Sequence, residues 1–303
     1  MNKVAERTQL SYAVGGNQQS RAIKRRKSRA KLMGIPRHFI LIVFSIAFLL
    51  PLYWMVTSAL KSDNQIFAQP IVWWPPQPRW DNFIKALNYP GFPFLLMLWN
   101  SIFYSGTVVI GTVISSALVG YGFARLPFPG RNILFTLTLA TLMIPGIVTF
   151  IPTYVLFKSL GMIGSYAPLI APNFLGNAFY IFMMRQFFLG LSWELSEAAK
   201  IDGAGEFRIF WQIMLPLVVP ALIVIAILTL LSTWQDFFGP LIYLSDPQQY
   251  PLSLGLFAFK GQRTTEWALL MAGSTLVTLP LIGVFMFTQR YFVQGVAMTG
   301  LKG

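Results

Sequence analysis

The stretch from residue 197 to residue 220 reads EAAKIDGAGEFRIFWQIMLPLVVP, and its first half is the densest charge of the chain outside the amino terminus. Four acidic and two basic residues fall between Glu194 and Arg208, with a long hydrophobic segment on either side. The flanking segments indicate membrane spans. A polar, glycine-containing segment between two spans lies in water at the membrane surface, so we expect it to contact another molecule there.

The composition is that of a polytopic membrane protein. The chain has 303 residues, of which 55% are hydrophobic and 11% are charged, whereas soluble domains carry about 25% charged residues. Apolar runs of about twenty residues are long enough to cross a bilayer as helices. We predict an all-α fold with six transmembrane helices and a polar loop between the fourth and the fifth.

The charge and the histidine and cysteine content exclude several classes of site. The net charge is +13, but ten of the 23 Lys and Arg residues precede residue 38, in a tail without interleaved aromatic residues. This distribution favours a topology signal over nucleic-acid binding. Cysteine is absent and His38 is the one histidine, so the sequence predicts neither disulfides nor a metal site.

Six apolar segments are drawn as spans. Their predicted bounds are Phe39–Leu60, Leu98–Phe123, Ile133–Phe157, Ala167–Phe188, Leu217–Thr233 and Leu269–Thr288. With a cytoplasmic amino terminus, 17 basic residues lie on the inner side and 6 on the outer side. The positive-inside rule therefore predicts that both termini and the 197–220 stretch are cytoplasmic.

The predicted organisation follows from these spans. It comprises a disordered basic cytoplasmic tail (1–38), a first transmembrane helix (39–60), an external loop (61–97), a core of five helices (98–290) that includes the polar loop 190–216, and a cytoplasmic carboxyl-terminal tail (291–303).

The polar loop is predicted to form two helices joined by a break. Ser196 suits the N-cap of a short helix near Glu197, and Gly203 suits a break with positive φ. A second helix is expected over Gly205–Leu215, before Pro216 and Pro220 redirect the chain. An ordinary amphipathic connector would share these features, so the physical pattern alone leaves its role open.

The complete string resembles the EAA motif of the membrane-embedded permeases of ABC importers. The matching positions are Glu197, Ala198, Ala199, Asp202, Gly203, Ala204, Phe210, Ile213, Leu215, Pro216 and Pro220. The resemblance covers nearly everything after residue 38 and is strongest to the carbohydrate-uptake, MalG-type permeases. Its other positions are Asn100-Ser101, Met143–Gly146, Leu160-Gly161, Trp234–Phe237, Leu252, Gly255, Leu256 and Gln289–Gly295. Gln235 stands where the family often has Asn, and the long basic leader is not a family feature.

The resemblance implies a type I importer fold and a set of partners. These are a second, MalF-like permease subunit, a dimer of ABC ATPases that binds ATP and Mg, an external solute-binding protein and the lipid bilayer of a bacterial or archaeal plasma membrane. It also implies that the loop docks on the ATPase. The coupling residues it assigns are Glu197, Ala198, Ala199, Asp202, Gly203, Ala204, Phe210 and Pro216.

The expected function is uptake of a di- or oligosaccharide, without catalysis by this chain. The alternative is a permease for glycerol-3-phosphate or another non-sugar solute. A secondary transporter is disfavoured because the predicted spans hold few ionisable residues. The sequence contains no G-x-x-x-x-G-K-[ST] phosphate loop, so ATP hydrolysis is assigned to the partner ATPase and no catalytic residue is predicted.

Polar residues on the spans are the candidates for solute contact. They are Asn100, Asn177, Gln235 and Asp236. For each of them a hydrogen bond between helices or a helix cap is the competing interpretation.

Overall fold

The structure is a computed structural model that describes residues 38–261 and 265–300, with side chains up to Gln289. The predicted basic tail lies outside the described residues, apart from His38. The chain divides after Thr57 into two compact units. The described part of the first unit is helical and belongs to α1, His38–Ala59, which confirms the predicted first span.

Within its described residues, the regular structure of the second unit is helical, apart from one isolated bridge between Lys260 and Thr265. Its α-helices are α2 Asp63–Ile66, α3 Asp81–Leu87, α4 Phe94–Arg125, α5 Arg131–Ala140, α6 Gly146–Ser159, α7 Ala167–Phe174, α8 Ala178–Leu189, α9 Glu194–Ile201, α10 Glu206–Arg208, α11 Leu215–Leu217, α12 Val219–Trp234, α13 Phe238–Tyr243, α14 Leu252–Gly255 and α15 Trp267–Gly300. A π-helix over Ile209–Met214 joins α10 to α11, and 3-10 turns cover Thr141–Met143, Pro247–Gln249 and Leu256–Phe259.

The described helices account for six membrane spans. Four are long and apolar enough to cross a bilayer: α1, α4, α7 with α8, and the Trp267–Gln289 part of α15. Two further spans come from bent helix pairs. One is Arg131–Met143 with Gly146–Ser159, and the other is Glu206–Leu217 with Val219–Trp234, in which Val219–Trp234 is the apolar span and Glu206–Leu217 is the second arm of the polar loop. Counting each pair as one span agrees with the predicted six. The chain is therefore an all-α multi-pass membrane protein.

The third span is not the single straight helix that the sequence analysis drew. Its two arms meet at an angle of 101°. Ile144 leaves the helix with φ −86° and ψ 114°, and Pro145 follows it. Proline has no N–H to continue the helix, and its ring excludes the helical conformation from the preceding residue. The bend therefore falls at the residue before the proline.

The fourth span is also interrupted. Gly176 takes a φ of +107° between α7 and α8, a conformation that side chains disfavour. Asn177 then caps α8, because its Oδ1 accepts hydrogen bonds from the N–H groups of Phe179 at 3.0 Å and Tyr180 at 3.4 Å. The break lies eight residues, about 12 Å of helix, inside the span.

The helix α4 lies at the centre of the second unit. It runs for 32 residues and packs against α7, α8 and α12. A β-carbon at Gly120 would lie 2.6 Å from the Cβ of Met184, so the absence of a side chain there lets α8 approach closely. Two larger apolar clusters form along α4, one around Tyr121 and Phe188 and one around Met97 and Phe259.

Candidate functional site

The polar loop begins with α9, three residues earlier than predicted. Ser192, not Ser196, bonds the start of this helix: its Oγ accepts a hydrogen bond from the backbone N–H of Glu194 at 3.2 Å. The predicted Ser196 cap is therefore wrong, because the helix already starts at Glu194. Ser196 is buried inside the helix, and no described residue bonds its hydroxyl.

Gly203 ends α9 as predicted. Its φ is +78°, which confirms the expected positive value. The N–H of Gly203 donates to the Lys200 carbonyl at 3.0 Å, and the N–H of Ala204 donates to the Ala199 carbonyl at 2.9 Å. These bonds satisfy two carbonyls that the helix end would otherwise leave free. The glycine thus reverses the chain so that the second arm returns against α9.

The two faces of α9 have different surroundings. Ala199 is 7% exposed and packs in the same apolar cluster as Phe210 and Phe188. Glu197 and Ala198 are exposed, as is Asp202, the residue directly after α9. The resemblance to the EAA motif assigned Ala198 and Ala199 alike to the coupling residues. The structure separates them: Ala199 faces the core of this chain and Ala198 faces outwards.

Glu206 closes the loop on itself. Its Oε1 lies 2.6 Å from the Lys200 ammonium, and its Oε2 accepts a hydrogen bond from the Tyr121 hydroxyl at 3.0 Å. The hydrogen bond from Lys200, supported by that from Tyr121, lowers the pKa of Glu206 against the opposing effect of partial burial. Although its side chain is 42% exposed, this carboxylate is therefore bonded within the chain on both of its oxygens.

The second arm of the loop runs through α10, the π-helix and α11. Phe210 is 4% exposed and belongs to the core, whereas Phe207 and Trp211 are exposed. The arm lies at 75° to α12, and the break falls at Val218 between Pro216 and Pro220. Pro216 cannot donate to the carbonyl four residues before it, and such a missing bond is a usual cause of a bend or a π-turn.

Arg125 is a buried residue whose contacts with the polar loop the sequence analysis did not predict. It is 4% exposed at the end of α4. Its guanidinium donates to the carbonyls of Phe188 and Leu191, each at 2.6 Å, and to that of Ser192 at 3.4 Å. It also lies 4.4 Å from the ring centre of Trp193, the residue before α9. One side chain thus holds the end of α8 and the start of the polar loop.

The four candidates for solute contact lie in different environments. At the opposite end of α4, the Asn100 amide donates to the carbonyls of Gln248 at 2.7 Å and Tyr250 at 3.1 Å. Asp236 accepts hydrogen bonds from the Tyr104 hydroxyl at 2.8 Å and from the N–H of Gly239 at 3.0 Å. Asn177 is the cap of α8, and Gln235 is exposed at the end of α12. The side chains of three of the four therefore hold the fold together.

The breaks in the third and fourth spans expose residues inside the membrane-spanning part of the chain. Leu175 is 85% exposed and Met143 is 84% exposed at the two breaks. No described residue donates a hydrogen bond to the carbonyls of Leu175 or Gly176. The turn that carries Met143 packs against α8. Free carbonyls cost several kcal/mol in lipid, so such backbone lines water or meets protein.

Comparison with known proteins identifies the family. Residues 113–298 match the family described as binding-protein-dependent transport system inner membrane component. That region contains α9, the exposed face of the polar loop and both broken spans.

Several relatives match over most of their length. A probable ABC transporter permease protein YurM from Bacillus subtilis is 36% identical over 87% of this chain and 87% of its own. The arabinooligosaccharides permease AraQ of Halalkalibacterium halodurans is 34% identical over 84% of this chain and 91% of its own. The sn-glycerol-3-phosphate permease UgpE of Yersinia enterocolitica is also 34% identical, over 85% of this chain and 94% of its own.

A solved structure shares the fold. It is a crystal structure of a bacterial ABC transporter involved in the import of the acidic polysaccharide alginate. One of its chains superposes with a TM-score of 0.76 at 23% sequence identity, covering 86% of this chain and 97% of that chain.

Proposed function

The chain belongs to the family of binding-protein-dependent transport system inner membrane components, and we propose that it forms half of the pathway of an importer for a di- or oligosaccharide. The observation that carries the proposal is the two-sided packing of α9. Its inner face is fixed to the core through Ala199, while Glu197, Ala198 and Asp202 are presented outwards. A rigid helix with a free polar face suits a docking contact with a driving subunit.

Residues 197–204 are the coupling segment in this proposal. Glu197 pairs with a basic residue of the ATPase, and Ala198 allows that surface to approach the backbone. Gly203 and Ala204 return the chain, and Phe210 and Pro216 belong to the arm that joins the segment to α12. The carboxylates of Glu197 and Asp202 are exposed, so an ion pair there forms without the cost of desolvating a buried charge.

The partners and the orientation follow from this assignment. The chain pairs with a second, MalF-like permease subunit, a dimer of ABC ATPases lies beneath them, and an external solute-binding protein delivers the solute. ATP and Mg bind to the ATPases. With 17 basic residues on the inner side against 6 on the outer side, both termini and the coupling segment are cytoplasmic. The exposed breaks at Met143 and Leu175 face the pathway or the second permease.

The chemistry of the breaks favours a neutral solute. The free carbonyl groups of Leu175 and Gly176 accept hydrogen bonds from hydroxyls and repel anions. Arg185, the cation on α8, is already engaged within the chain: it donates to the Phe123 carbonyl at 3.3 Å and stacks 4.1 Å from the ring centre of Phe135. Of the candidate side chains, Gln235 is the one best placed to contact solute. Glycerol-3-phosphate is the second candidate, because relatives named for it match as well as those named for oligosaccharides.

Uptake by the reconstituted importer tests the proposal. Proteoliposomes that hold this chain with its permease, ATPase and binding-protein partners are expected to accumulate a labelled oligosaccharide when ATP is supplied, and not glycerol-3-phosphate. Preferential accumulation of the phosphate ester would establish the second candidate instead. Accumulation that continues without ATP but follows an ion gradient would contradict both.

The proposal also assigns no enzymatic activity to this chain. We expect the purified chain without partners to hydrolyse no ATP, because its sequence lacks a phosphate-binding loop. Hydrolysis that persists after every partner subunit is removed, and that a second purification step does not separate from the chain, would contradict this.

A further inference from the structure

We propose that α4, which α5 to α8 separate from the coupling segment along the chain, carries the movement of that segment across the membrane. The inference rests on the proposed coupling role of α9. Two side chains one helical turn apart on α4, Tyr121 and Arg125, hold the two ends of α9. We call this pair the α4 clamp.

The first contact of the clamp lies before α9. Arg125 bonds the carbonyls of Phe188, Leu191 and Ser192 and stacks on Trp193. These acceptors lie 63 to 67 residues away in the sequence. The guanidinium is buried, so its charge is compensated only while those carbonyls stay in place. A shift of the segment before α9 relative to α4 is therefore costly.

The second contact lies after α9. The Tyr121 hydroxyl donates to Glu206, and Glu206 in turn pairs with Lys200 in the last turn of α9. The Tyr121 ring also packs 5.0 Å from the ring centre of Phe210. Tyr121 thus contacts the second arm directly and reaches α9 through one carboxylate.

The chain segments that connect α9 to α8 and to α12 are less suited than the α4 clamp to transmit movement. Towards α8, the chain leaves the helix at Gly190 and passes through a short turn. Towards α12, the second arm bends by 75° at Val218. A turn and a bend absorb movement, whereas the clamp joins the residues that flank α9 on both sides to a continuous helix.

The other end of α4 shows where the movement arrives. The helix runs without interruption for 32 residues, about 48 Å. There Asn100 holds the carbonyls of Gln248 and Tyr250, and the Ser101 hydroxyl accepts the N–H of Leu252 at 2.8 Å. One rod therefore links the coupling segment to the loop between α13 and α14.

Distances between spin labels test whether α4 and α9 move together. The chain has no cysteine, so labels attach only at introduced ones. Ile201 and Leu95 are 86% and 77% exposed at opposite ends of the proposed unit. In the assembled importer with Ile201→Cys and Leu95→Cys, we expect the same distance with and without ATP. A second pair, Ile201→Cys with Phe287→Cys on α15, reports the conformational change that ATP produces, and its distance is expected to change. A change in the first pair as large as in the second would overturn the proposal, whatever solute the importer carries.

A cross-link that replaces the clamp provides an independent test. With Tyr121→Cys and Glu206→Cys together, we expect several-fold more ATP hydrolysed per solute imported. A bifunctional thiol reagent that joins the two cysteines should restore the original ratio, which a purely structural role does not predict. Complete cross-linking without recovery would overturn the proposal. Arg125→Lys is expected to raise the ratio as well, whereas Arg131→Lys, a control on α5, is not. The ratio can be measured with any solute that the importer accepts. This test therefore does not depend on whether the proposed saccharide is the true solute.

Discussion

The two ends of α4 use polar side chains in different ways. At the Arg125 end, a buried guanidinium and a Glu206 carboxylate fix the base of the coupling segment, and the charged residues Glu197 and Asp202 remain exposed. At the Asn100 end, the amide of Asn100 and the carboxylate of Asp236 are used within the fold. At the Arg125 end a polar surface is exposed, whereas at the Asn100 end the polar groups form hydrogen bonds within the chain.

The difference shows that a polar residue in an apolar sequence is more often used for a hydrogen bond within the chain than for contact with a ligand. Of the polar candidates on the spans, those with hydrogen bonds inside the chain already have a structural role. Candidates for contact with other molecules are the groups left without such bonds, namely the exposed residues of α9, Gln235 and the carbonyls of Leu175 and Gly176. The predictions below separate these two uses, from the largest expected effect to the smallest.

The largest effect is expected at the turn after α9. Gly203 has a φ of +78°, whereas proline requires about −65°. We expect Gly203→Pro to insert into the membrane and to abolish solute uptake, because the coupling segment is distorted while no span is changed. The matched control is Gly205→Ala, since Gly205 has a φ of −71° and a β-carbon there meets no atom within 4 Å. Normal uptake by the proline variant would refute the coupling role.

Two adjacent alanines separate docking from packing. Ala198→Leu places a larger side chain on the exposed face, and we expect normal thermal stability with uptake reduced about tenfold or more, equivalent to about 1.4 kcal/mol of docking energy. Ala199→Leu overfills the cluster around Phe210 and should lower the free energy of unfolding by about 1–3 kcal/mol. Thermal denaturation and uptake are measured on both. Equal stability losses would contradict the two-faced arrangement of α9.

A moderate effect is expected where polar groups act within the fold. Tyr104→Phe removes the hydrogen bond to Asp236, and we expect a loss of about 1 kcal/mol in stability, typical of one such bond between membrane helices. The affinity for solute should be unchanged. Tyr154→Phe is the control, because within the described residues its hydroxyl makes no hydrogen bond. A large change in solute affinity with unaltered stability would instead return Asp236 to the pathway.

The smallest effect is expected from the exposed ion pair of the loop. Lys200 and Glu206 side chains are 52% and 42% exposed, so Lys200→Met should cost about 0.2–1 kcal/mol at neutral pH. The hydrogen bond from Lys200 lowers the pKa of Glu206 below its ordinary value of 4.5. The stabilisation is therefore complete above that value and is lost as the pH falls through the lowered pKa. The denaturation curves of the original protein and of Lys200→Met should therefore converge at acidic pH. A difference in stability that persists at acidic pH would show that the ion pair does not cause it.

Much of the fold was predictable because its signals are local. The length of the apolar segments predicted the spans. The left-handed turn at Gly203 follows from the lack of a β-carbon. The bend in the third span was missed although Pro145 was visible, because apolar composition continues unbroken across it. The Ser196 cap was wrong for a similar reason: several residues in that stretch can start a helix, and packing selected Glu194.

The clamp could not be predicted in this way. Tyr121 and Glu206 are 85 residues apart, and Arg125 reaches backbone carbonyls, which every residue carries. Their partners are set by the close approach of α4 to α8, and the sequence signal for that approach is one small residue, Gly120. A terminal arginine on a span otherwise looks like an ordinary topology signal.

The sequence by itself determined that this protein is a helical membrane protein, that its polar loop turns at Gly203, and to which family it is similar, because hydrophobic length, backbone freedom and motif spacing are properties of short stretches. The tertiary structure alone decided which face of α9 is free, which polar side chains of the spans are already used, and that α4 holds the loop at both ends. These depend on distances between residues far apart in the chain, and such distances exist only after the helices have packed.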